Sequence, residues 1–347
     1  MLRHFSANVC EVKLAEIAAP DFDLAITLNS GQVFHWEKAR DGFVGAIGDR
    51  PVYVEQRGDV LLTNCEDQKL IHNYFALDHP LTEICASFPD DPVMNAARKS
   101  CRGLRIIRQR KWECLATFIC SSMKQVAHIR QISRKLREQL GERRTTELPS
   151  STENADGGSA APPAMIEFGR LRRRRINIEQ GTARSTNDRI VLTFPAADRI
   201  AQSSEKELRK CALGYRAKNL LATARLVASE DVDLGKLTAL SDVDLRARLC
   251  QLPGVGAKVA NCVMLFAYER LRAFPIDVWI ERVLREKYFP RARKLNARQL
   301  EAFTQKYFGD HGGYAQQYLF HQARTTPIRR AQGKLRSPLH DKGSRVR

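Results

Sequence analysis

The sequence lacks the long apolar stretches that membrane-spanning and secreted proteins carry. No run approaches the roughly 20 consecutive apolar residues that a transmembrane helix requires. Acidic residues interrupt the opening MLRHFSANVCEVKLAEIAAP, where a secretory signal would have an apolar core. We therefore expect no membrane partner and an intracellular location, in the cytoplasm or nucleoid, or in the nucleus if the source is eukaryotic.

Cysteine is present but never in the spacing that metal sites and disulfide frameworks use. The nine cysteines form an odd number, contain no C-x-x-C pair and mostly have apolar neighbours. Neither a zinc site nor a set of structural disulfides has support in this pattern, so we predict no metal ligands.

Acidic residues are scarce relative to basic ones, since 39 Asp and Glu stand against 57 Lys and Arg, for a formal net charge of +18. Such an excess indicates a polyanionic partner such as nucleic acid. The arginine run GRLRRRR at 169–175 either contacts phosphates or is simply solvated. A basic segment at 327–347 predicts a flexible basic tail.

The remaining pattern predicts an α+β protein, with a small N-terminal antiparallel sheet domain followed by a mostly helical core. Short alternating apolar runs between turn residues at 21–65 predict a meander, and helical spacing replaces them from Glu66. We place the sheet domain at 1–104 and the helical domain at 105–326. Residues 141–187, rich in Ser, Gly, Ala, Pro and Arg, predict a disordered basic insertion.

A very tight turn, Pro253-Gly254-Val255-Gly256, joins two helical patterns. Its glycines permit the backbone conformations of such a hairpin and leave room for an approaching anion. Amides at the start of the second helix point outward, where the helix dipole favours negative charge. Gly254, Val255 and Gly256 are therefore candidate contacts for a DNA phosphate, although an ordinary helix corner without a ligand has the same pattern.

Two charged residues beside this hairpin are suited to catalysis. Lys258 lies in the first turn of the second helix among apolar neighbours, and a neutral lysine amine can attack an electrophilic carbon. Asp277 follows in AFPIDVWIERVL, just before another helical pattern. Taken alone, its position favours the role of a helix N-cap.

The hairpin LPGVGAKVA, the apolar helix after it and the P-x-D-V segment together resemble the helix-hairpin-helix DNA glycosylase superfamily. In that superfamily a lysine and an aspartate of this spacing are the catalytic pair. The segments SGQVFHW, LATFICSS, LGYRAK and AQQYLF are similar to segments of the 8-oxoguanine DNA glycosylase family, and the matches extend from Leu28 to Phe320. The resemblance implies a bifunctional glycosylase and AP lyase of base excision repair, and we expect a monomer that acts on damaged double-stranded DNA.

Carried over residue by residue, the resemblance implies a reaction centre and a base pocket. Lys258 would be the nucleophile and Asp277 the carboxylate that assists it. The pocket would be lined by Gly31, Phe34, Cys262, Gln316 and Phe320. The Gly31 carbonyl would accept the extra N7 hydrogen of 8-oxoguanine, and Gln316 would read the Watson–Crick edge of the base. Cys262 and Phe320 would sandwich its rings. Tyr215 and Arg216 would sit at the gap in the duplex.

The chain departs from the family pattern at the contacts expected with the orphan cytosine. Met123 stands where the family has an asparagine that fills the hole left by the flipped base. His128 replaces an expected arginine, and Trp279 replaces a phosphate-contacting histidine. These departures put in doubt the preference for cytosine opposite the lesion that the resemblance would otherwise imply.

The implied mechanism requires no cofactor, although hairpins of the family can hold a structural monovalent cation with main-chain carbonyls. Two other interpretations stay open: a related glycosylase for another damaged base, and a non-catalytic DNA-binding module. Alkylation-repair relatives commonly lack the lysine, so Lys258 counts against them. Relatives for oxidised pyrimidines commonly carry a four-cysteine cluster after the aspartate, and no cysteine follows Asp277.

Overall fold

The computed structural model describes residues 13–121, 125–149, 187–292 and 295–325. Met123, residues 150–186 of the predicted insertion and the predicted basic tail lie outside the described residues. Within the described ranges no helix combines the length and the apolar character that crossing a membrane requires.

The N-terminal part is a five-stranded antiparallel sheet in the order β1-β5-β4-β3-β2. Its strands are β1 (Ala15–Ala18), β2 (Glu37–Ala39), β3 (Gly42–Ile47), β4 (Arg50–Arg57) and β5 (Val60–Thr63). Gly48 and Gly58, at φ +66° and +58°, open the two-residue turns that join β3 to β4 and β4 to β5. The predicted α+β arrangement with an N-terminal sheet is confirmed.

The meander prediction was wrong for DLAITL, which forms the helix α1 (Leu24–Asn29) instead of a strand. The carboxylate of Asp23 accepts a hydrogen bond from the Ile26 amide at 2.7 Å and caps this helix. The short apolar run is compatible with either structure, and the cap selects the helix. Ala15–Ala18, outside the predicted meander, supplies the strand that pairs with β5.

Helices make up most of the remaining described chain. Before the predicted insertion they are α2 (Gln68–Tyr74), α3 (Leu81–Ala86), α4 (Pro92–Ser100), α5 (Lys111–Ser121) and α6 (Val126–Leu140). After it they are α7 (Ala197–Ala201), α8 (Glu205–Leu208), α9 (Arg216–Ala228), α10 (Asp242–Cys250), α11 (Ala257–Ala267), α12 (Val278–Val283), α13 (Ala297–Phe308) and α14 (Gly312–Thr325). The predicted mostly helical character of this part is confirmed.

The predicted insertion at 141–187 begins in ordered structure, so the prediction of disorder was wrong for its first residues. Strand β6 (Arg143–Glu147) pairs antiparallel with β7 (Asp188–Leu192). The Asn64 side chain donates to the Thr146 hydroxyl at 2.7 Å and ties this ribbon to the sheet. Polar side chains dominate β6, so its strand conformation depends on a partner that is distant in sequence. For 150–186 the disorder stays a prediction.

Two large apolar clusters support the molecule. Val54 and Phe75 belong to the cluster under the sheet, and Leu115 of α5 and Val263 of α11 belong to the cluster among the helices. Met94 of α4 packs in the helical cluster, so the predicted boundary at residue 104 does not coincide with a boundary between cores. Helix α5 lies between α9 and α11 and carries one wall of the site described next.

Candidate active site

A cavity of about 680 Å³ opens between the loop after α1 and the helices α5, α11, α12 and α14. Both predicted catalytic residues and all five predicted pocket residues line it: Lys258, Asp277, Gly31, Phe34, Cys262, Gln316 and Phe320. These residues come from distant parts of the chain, so the fold assembles the site that the resemblance implies.

The predicted hairpin joins α10 to α11 beside this cavity. Gly254 has φ +82°, and a Cβ there would lie 2.8 Å from the Cβ of Asn219, so the position demands glycine. Gly256 is the N-cap residue of α11, and a Cβ there would meet no described atom within 4 Å. The first amides of α11 have no intrahelical acceptors, and Gly256 and Ala257 at this end of the helix are exposed to an approaching phosphate.

Two carbonyl oxygens at the start of the turn, those of Leu252 and Pro253, accept hydrogen bonds within the protein. The Val255 amide donates to the Leu252 carbonyl at 3.1 Å, and the Thr223 hydroxyl donates to the Pro253 carbonyl at 2.9 Å. The side chain of Val255 is buried, so only its backbone is suited to contact DNA. A monovalent cation at this turn stays a prediction.

Lys258 presents its amine to the cavity from the first turn of α11. Its Nζ donates to the Ser121 hydroxyl at 3.3 Å and lies 5.1 Å from the centre of the Phe118 ring. Cys262 follows one helical turn later and lines the same cavity. Burial raises the pKa of the Cys262 thiol, an effect that the charge of Lys258 only partly offsets, so Cys262 presents a neutral thiol to the pocket.

Asp277 combines the two roles that its sequence position suggested. Its Oδ1 accepts a hydrogen bond from the Ile280 amide at 2.9 Å and caps α12, while the residue also lines the cavity. Burial raises the pKa of Asp277, and the opposing influences are the Ile280 and Trp279 amides and the charges of Lys258 and Arg324. The carboxylate is therefore held close to a cationic amine in a poorly hydrated place.

The opposite wall of the cavity carries the predicted base-reading residues. Gln316 is 4% exposed, and its Oε1 has no hydrogen-bond partner among the described residues. A buried acceptor in this state costs roughly 1 to 3 kcal/mol, which a hydrogen-bond donor on a bound base would recover. Gly31 has φ +91°, and Phe34 contacts Phe118 with ring centres 6.3 Å apart.

The predicted duplex contacts are divided between exposed and buried positions. Tyr215 is 57% exposed, whereas Arg216 is 5% exposed. The Arg216 guanidinium lies 4.3 Å from the centre of the Tyr215 ring and donates to the Leu213 carbonyl at 3.4 Å. Arg216 is thus placed to support the exposed tyrosine from inside. His128 is exposed on α6.

Sequence reasoning missed two residues beside the pocket, Gln317 and Arg324. Both lie on α14 and donate hydrogen bonds to the Ser30 carbonyl. Arg324 lies one helical turn after Phe320 and two after Gln316, so it falls on their face of the helix. This helical spacing was the sequence signal that could have identified Arg324. Trp279, 37% exposed, lines the cavity mouth, and Arg282 lies over its ring.

Comparisons with known proteins find similar sequences and similar folds. Residues 15–115 match the family model described as 8-oxoguanine DNA glycosylase, N-terminal domain. An N-glycosylase/DNA lyase of Arabidopsis thaliana is 28% identical over 321 residues, which cover 86% of this chain and 77% of the relative.

Solved structures give the same result at the level of the fold. The structure described as MBOgg1 in complex with a low affinity DNA ligand is 29% identical, with a TM-score of 0.74 over 90% of this chain and 96% of that one. A Clostridium acetobutylicum 8-oxoguanine glycosylase/lyase, bound to DNA with cytosine opposite 8-oxoG, is 24% identical. Its TM-score is 0.72, over 90% of this chain and 97% of that one, which shows a shared fold.

Proposed function

Because the chain belongs to the 8-oxoguanine DNA glycosylase family, we propose that it excises 8-oxoguanine from duplex DNA and then cleaves the strand as an AP lyase. One observation carries the proposal: a single cavity holds Lys258, Asp277 and the unpartnered buried acceptor of Gln316. A nucleophile, a carboxylate and a base-reading amide are the groups that this reaction requires.

The reaction begins with extrusion of the damaged nucleotide, because a base inside the duplex is out of reach of the cavity. Extrusion costs on the order of a few kcal/mol in unstacking and unpairing. Contacts of the basic protein, net charge +18, with the phosphates help to offset that cost. Tyr215, exposed beside α9, is placed to occupy the disrupted stack.

Excision exchanges one bond at the sugar for another. The neutral amine of Lys258 attacks C1′, the bond from C1′ to N9 breaks, and the base leaves with the bonding electron pair. The base gains a proton, and the substituted amine loses one. Asp277 stabilises the positive charge that develops on the sugar. Opening of the sugar ring gives a Schiff base between C1′ and Lys258.

Strand cleavage then follows from the Schiff base. The iminium withdraws electrons, so a proton at C2′ can be removed and the 3′ phosphate leaves by β-elimination. Water hydrolyses the remaining imine and returns the free amine of Lys258. The Ser121 hydroxyl, which accepts from Lys258 at 3.3 Å, is positioned to orient the amine before attack.

Recognition of the lesion is assigned to the opposite wall together with Cys262 of α11. The Gly31 carbonyl accepts the N7 hydrogen that 8-oxoguanine has and guanine lacks, and Gln316 pairs with the Watson–Crick edge. Cys262 and Phe320 contact the ring faces. The lining positions of these residues support this assignment. We further propose that the protein acts as a monomer, in the compartment that holds the cell's DNA, and without a required cofactor.

Borohydride trapping tests the proposal. The purified protein is incubated with labelled duplexes that carry 8-oxoguanine opposite each of the four bases, beside an undamaged duplex and the Lys258→Gln variant. A covalent adduct on the lesion duplex only, absent in the variant, is the expected result. Tight binding with neither adduct nor released base would instead favour the non-catalytic DNA-binding module.

A further inference from the structure

Helix α14 holds the loop that carries Gly31 with two hydrogen bonds to one atom. The Gln317 Nε2 donates to the Ser30 carbonyl oxygen at 3.0 Å, and the Arg324 Nη1 donates to the same oxygen at 3.1 Å. Gln317 is 2% exposed, so its bond lies in the protein interior. The carbonyl that receives both bonds belongs to the peptide group directly before Gly31.

Arg324 also covers Gly31 itself. A Cβ at Gly31 would lie 2.6 Å from the Arg324 Nη1 and 3.0 Å from the Phe320 ring. The Arg324 guanidinium carbon in turn lies 5.0 Å from the centre of that ring. The arginine therefore contacts both the glycine loop and the aromatic wall of the pocket.

The other side of the loop is anchored to the segment between α4 and α5. Gln32, fully buried, donates to the Ser30 hydroxyl at 3.0 Å and to the Arg105 carbonyl at 2.8 Å, and accepts from the Ile107 amide at 2.7 Å. The residues on both sides of Gly31 are thus fixed. Gly31 between them adopts φ +91°, a backbone conformation that glycine reaches without steric strain.

We propose that Gln317 and Arg324 are positioning residues that determine specificity, because they fix the Ser30 carbonyl and thereby aim the Gly31 peptide at the bound base. Gln316 and Phe320 lie on the same helix, so one rigid element sets the distance between the two recognition surfaces. Productive recognition requires placement within about 0.5 Å. The inference rests on the proposed function, since it concerns how the same pocket distinguishes 8-oxoguanine from guanine.

Equilibrium binding in a Lys258→Gln background tests the inference without excision. Three duplexes are compared, with 8-oxoguanine, guanine or a tetrahydrofuran abasic analogue opposite cytosine. The variants are Arg324→Met, Arg324→Lys and Gln317→Leu. Arg272→Met is the matched control, because Arg272 is an exposed arginine whose ion pair with Asp310, at 3.0 Å, lies on the surface.

We expect Arg324→Met to reduce the ratio of the guanine Kd to the 8-oxoguanine Kd about tenfold, equivalent to about 1.4 kcal/mol. Gln317→Leu should reduce it about threefold, as for one lost neutral hydrogen bond. Arg324→Lys, which keeps a donor, should recover part of the loss. Affinity for the abasic analogue should change by less than about twofold, because no base occupies the pocket.

Two results would overturn the inference. In one, the Kd ratio of Arg324→Met equals that of Arg272→Met. In the other, affinity for the abasic analogue falls in parallel with affinity for 8-oxoguanine, which would reveal a general structural role. A different failure identifies a wrong function: if the Lys258→Gln parent itself does not prefer 8-oxoguanine to guanine, the proposed substrate is incorrect.

Discussion

The two walls of the cavity are built in different ways. The reaction wall, defined by Lys258 and Asp277, comes from α11 and the start of α12, which are neighbours in the chain. The recognition wall, defined by Gly31 and Gln316, joins a loop near the N-terminus to α14 near the end of the described chain. The chemistry is therefore local in sequence, whereas recognition depends on how the sheet part and the helical part pack together.

The walls also differ in how their polar groups are satisfied. On the reaction wall, Lys258 donates to Ser121 and Asp277 accepts from the Ile280 amide. On the recognition wall, the Oε1 of Gln316 has no partner among the described residues. The reaction wall is thus organised before substrate arrives, and the recognition wall is completed by the base.

Substitution of Lys258 should have the largest effect. We expect Lys258→Gln to lower single-turnover excision roughly 10³-fold or more, since the nucleophile is lost. Affinity for the lesion duplex should remain within about threefold, because glutamine keeps a polar, hydrogen-bonding side chain at this position of the binding surface. Lys236→Gln, at an exposed lysine 3.5 Å from Asp233, is the control. Excision by Lys258→Gln at the control rate would remove this lysine from the mechanism.

Asp277→Asn should have the next largest effect, with excision slowed roughly 10²-fold through loss of electrostatic stabilisation. Asparagine remains a good N-cap, so α12 should keep its stability, whereas Asp277→Ala should lose about 1 kcal/mol of unfolding free energy. Thermal unfolding separates the two roles. An unchanged excision rate in Asp277→Asn would leave the residue as a cap only.

The raised pKa of Asp277 also predicts the pH dependence of excision. The reaction needs the carboxylate, so the rate should fall as the pH drops through a value above the ordinary aspartate pKa of about 3.9. A pKa raised by folding means that ionisation destabilises the folded state. At neutral pH, loss of the Asp277 charge in Asp277→Asn should therefore not lower the free energy of unfolding. If the excision rate of Asp277→Asn falls at low pH in the same way, the fall must be caused by another titrating group.

A methyl group at Gly31 should disturb the recognition wall to an intermediate degree. Gly31→Ala introduces a Cβ 2.6 Å from Arg324 and strains a residue at φ +91°. We expect about a tenfold loss of 8-oxoguanine affinity and about 1 kcal/mol less unfolding free energy. Gly58→Ala is a matched control, because Gly58 also has positive φ but its Cβ would meet nothing within 4 Å. Equal effects of the two variants on affinity would contradict a role for Gly31 in the pocket.

Gln316→Leu should have the smallest effect on affinity, a loss of about fivefold, which corresponds to one or two neutral hydrogen bonds. Its effect on stability should have the opposite sign. The buried, unpartnered Oε1 is removed, so the unfolding free energy should stay equal or rise by up to about 1 kcal/mol. Calorimetry and titration of the lesion duplex measure the two quantities. A large loss of stability would show that Gln316 supports the fold.

The sequence predicted the reaction wall well because its information is local. The hairpin glycines, Lys258 and Asp277 lie in one continuous pattern of helix, turn and helix, and the structure gives each the surroundings that the pattern suggests. The recognition residues could be identified only through resemblance. Periodicity alone gives no reason for Gly31 and Gln316 to meet, because tertiary packing brings them together.

The predictions that failed share a physical cause. DLAITL became a helix because the Asp23 cap decides between two structures that its apolar pattern permits. Arg143–Glu147 became a strand because a partner strand, Asp188–Leu192, provides its hydrogen bonds. Arg324 escaped notice because an arginine near a helix end ordinarily interacts with the helix dipole. In each case hydrogen bonds that the apolar pattern does not reveal decided the outcome.

The most direct test of the central claim is to locate the covalent bond. After borohydride reduction of the protein with an 8-oxoguanine duplex, the adduct is digested with nuclease and protease and its peptides are sequenced by mass spectrometry. The account predicts that the sugar remnant lies on Lys258 in the peptide that follows the hairpin. A remnant on another lysine or on the N-terminal amine would contradict the assignment of the reaction wall.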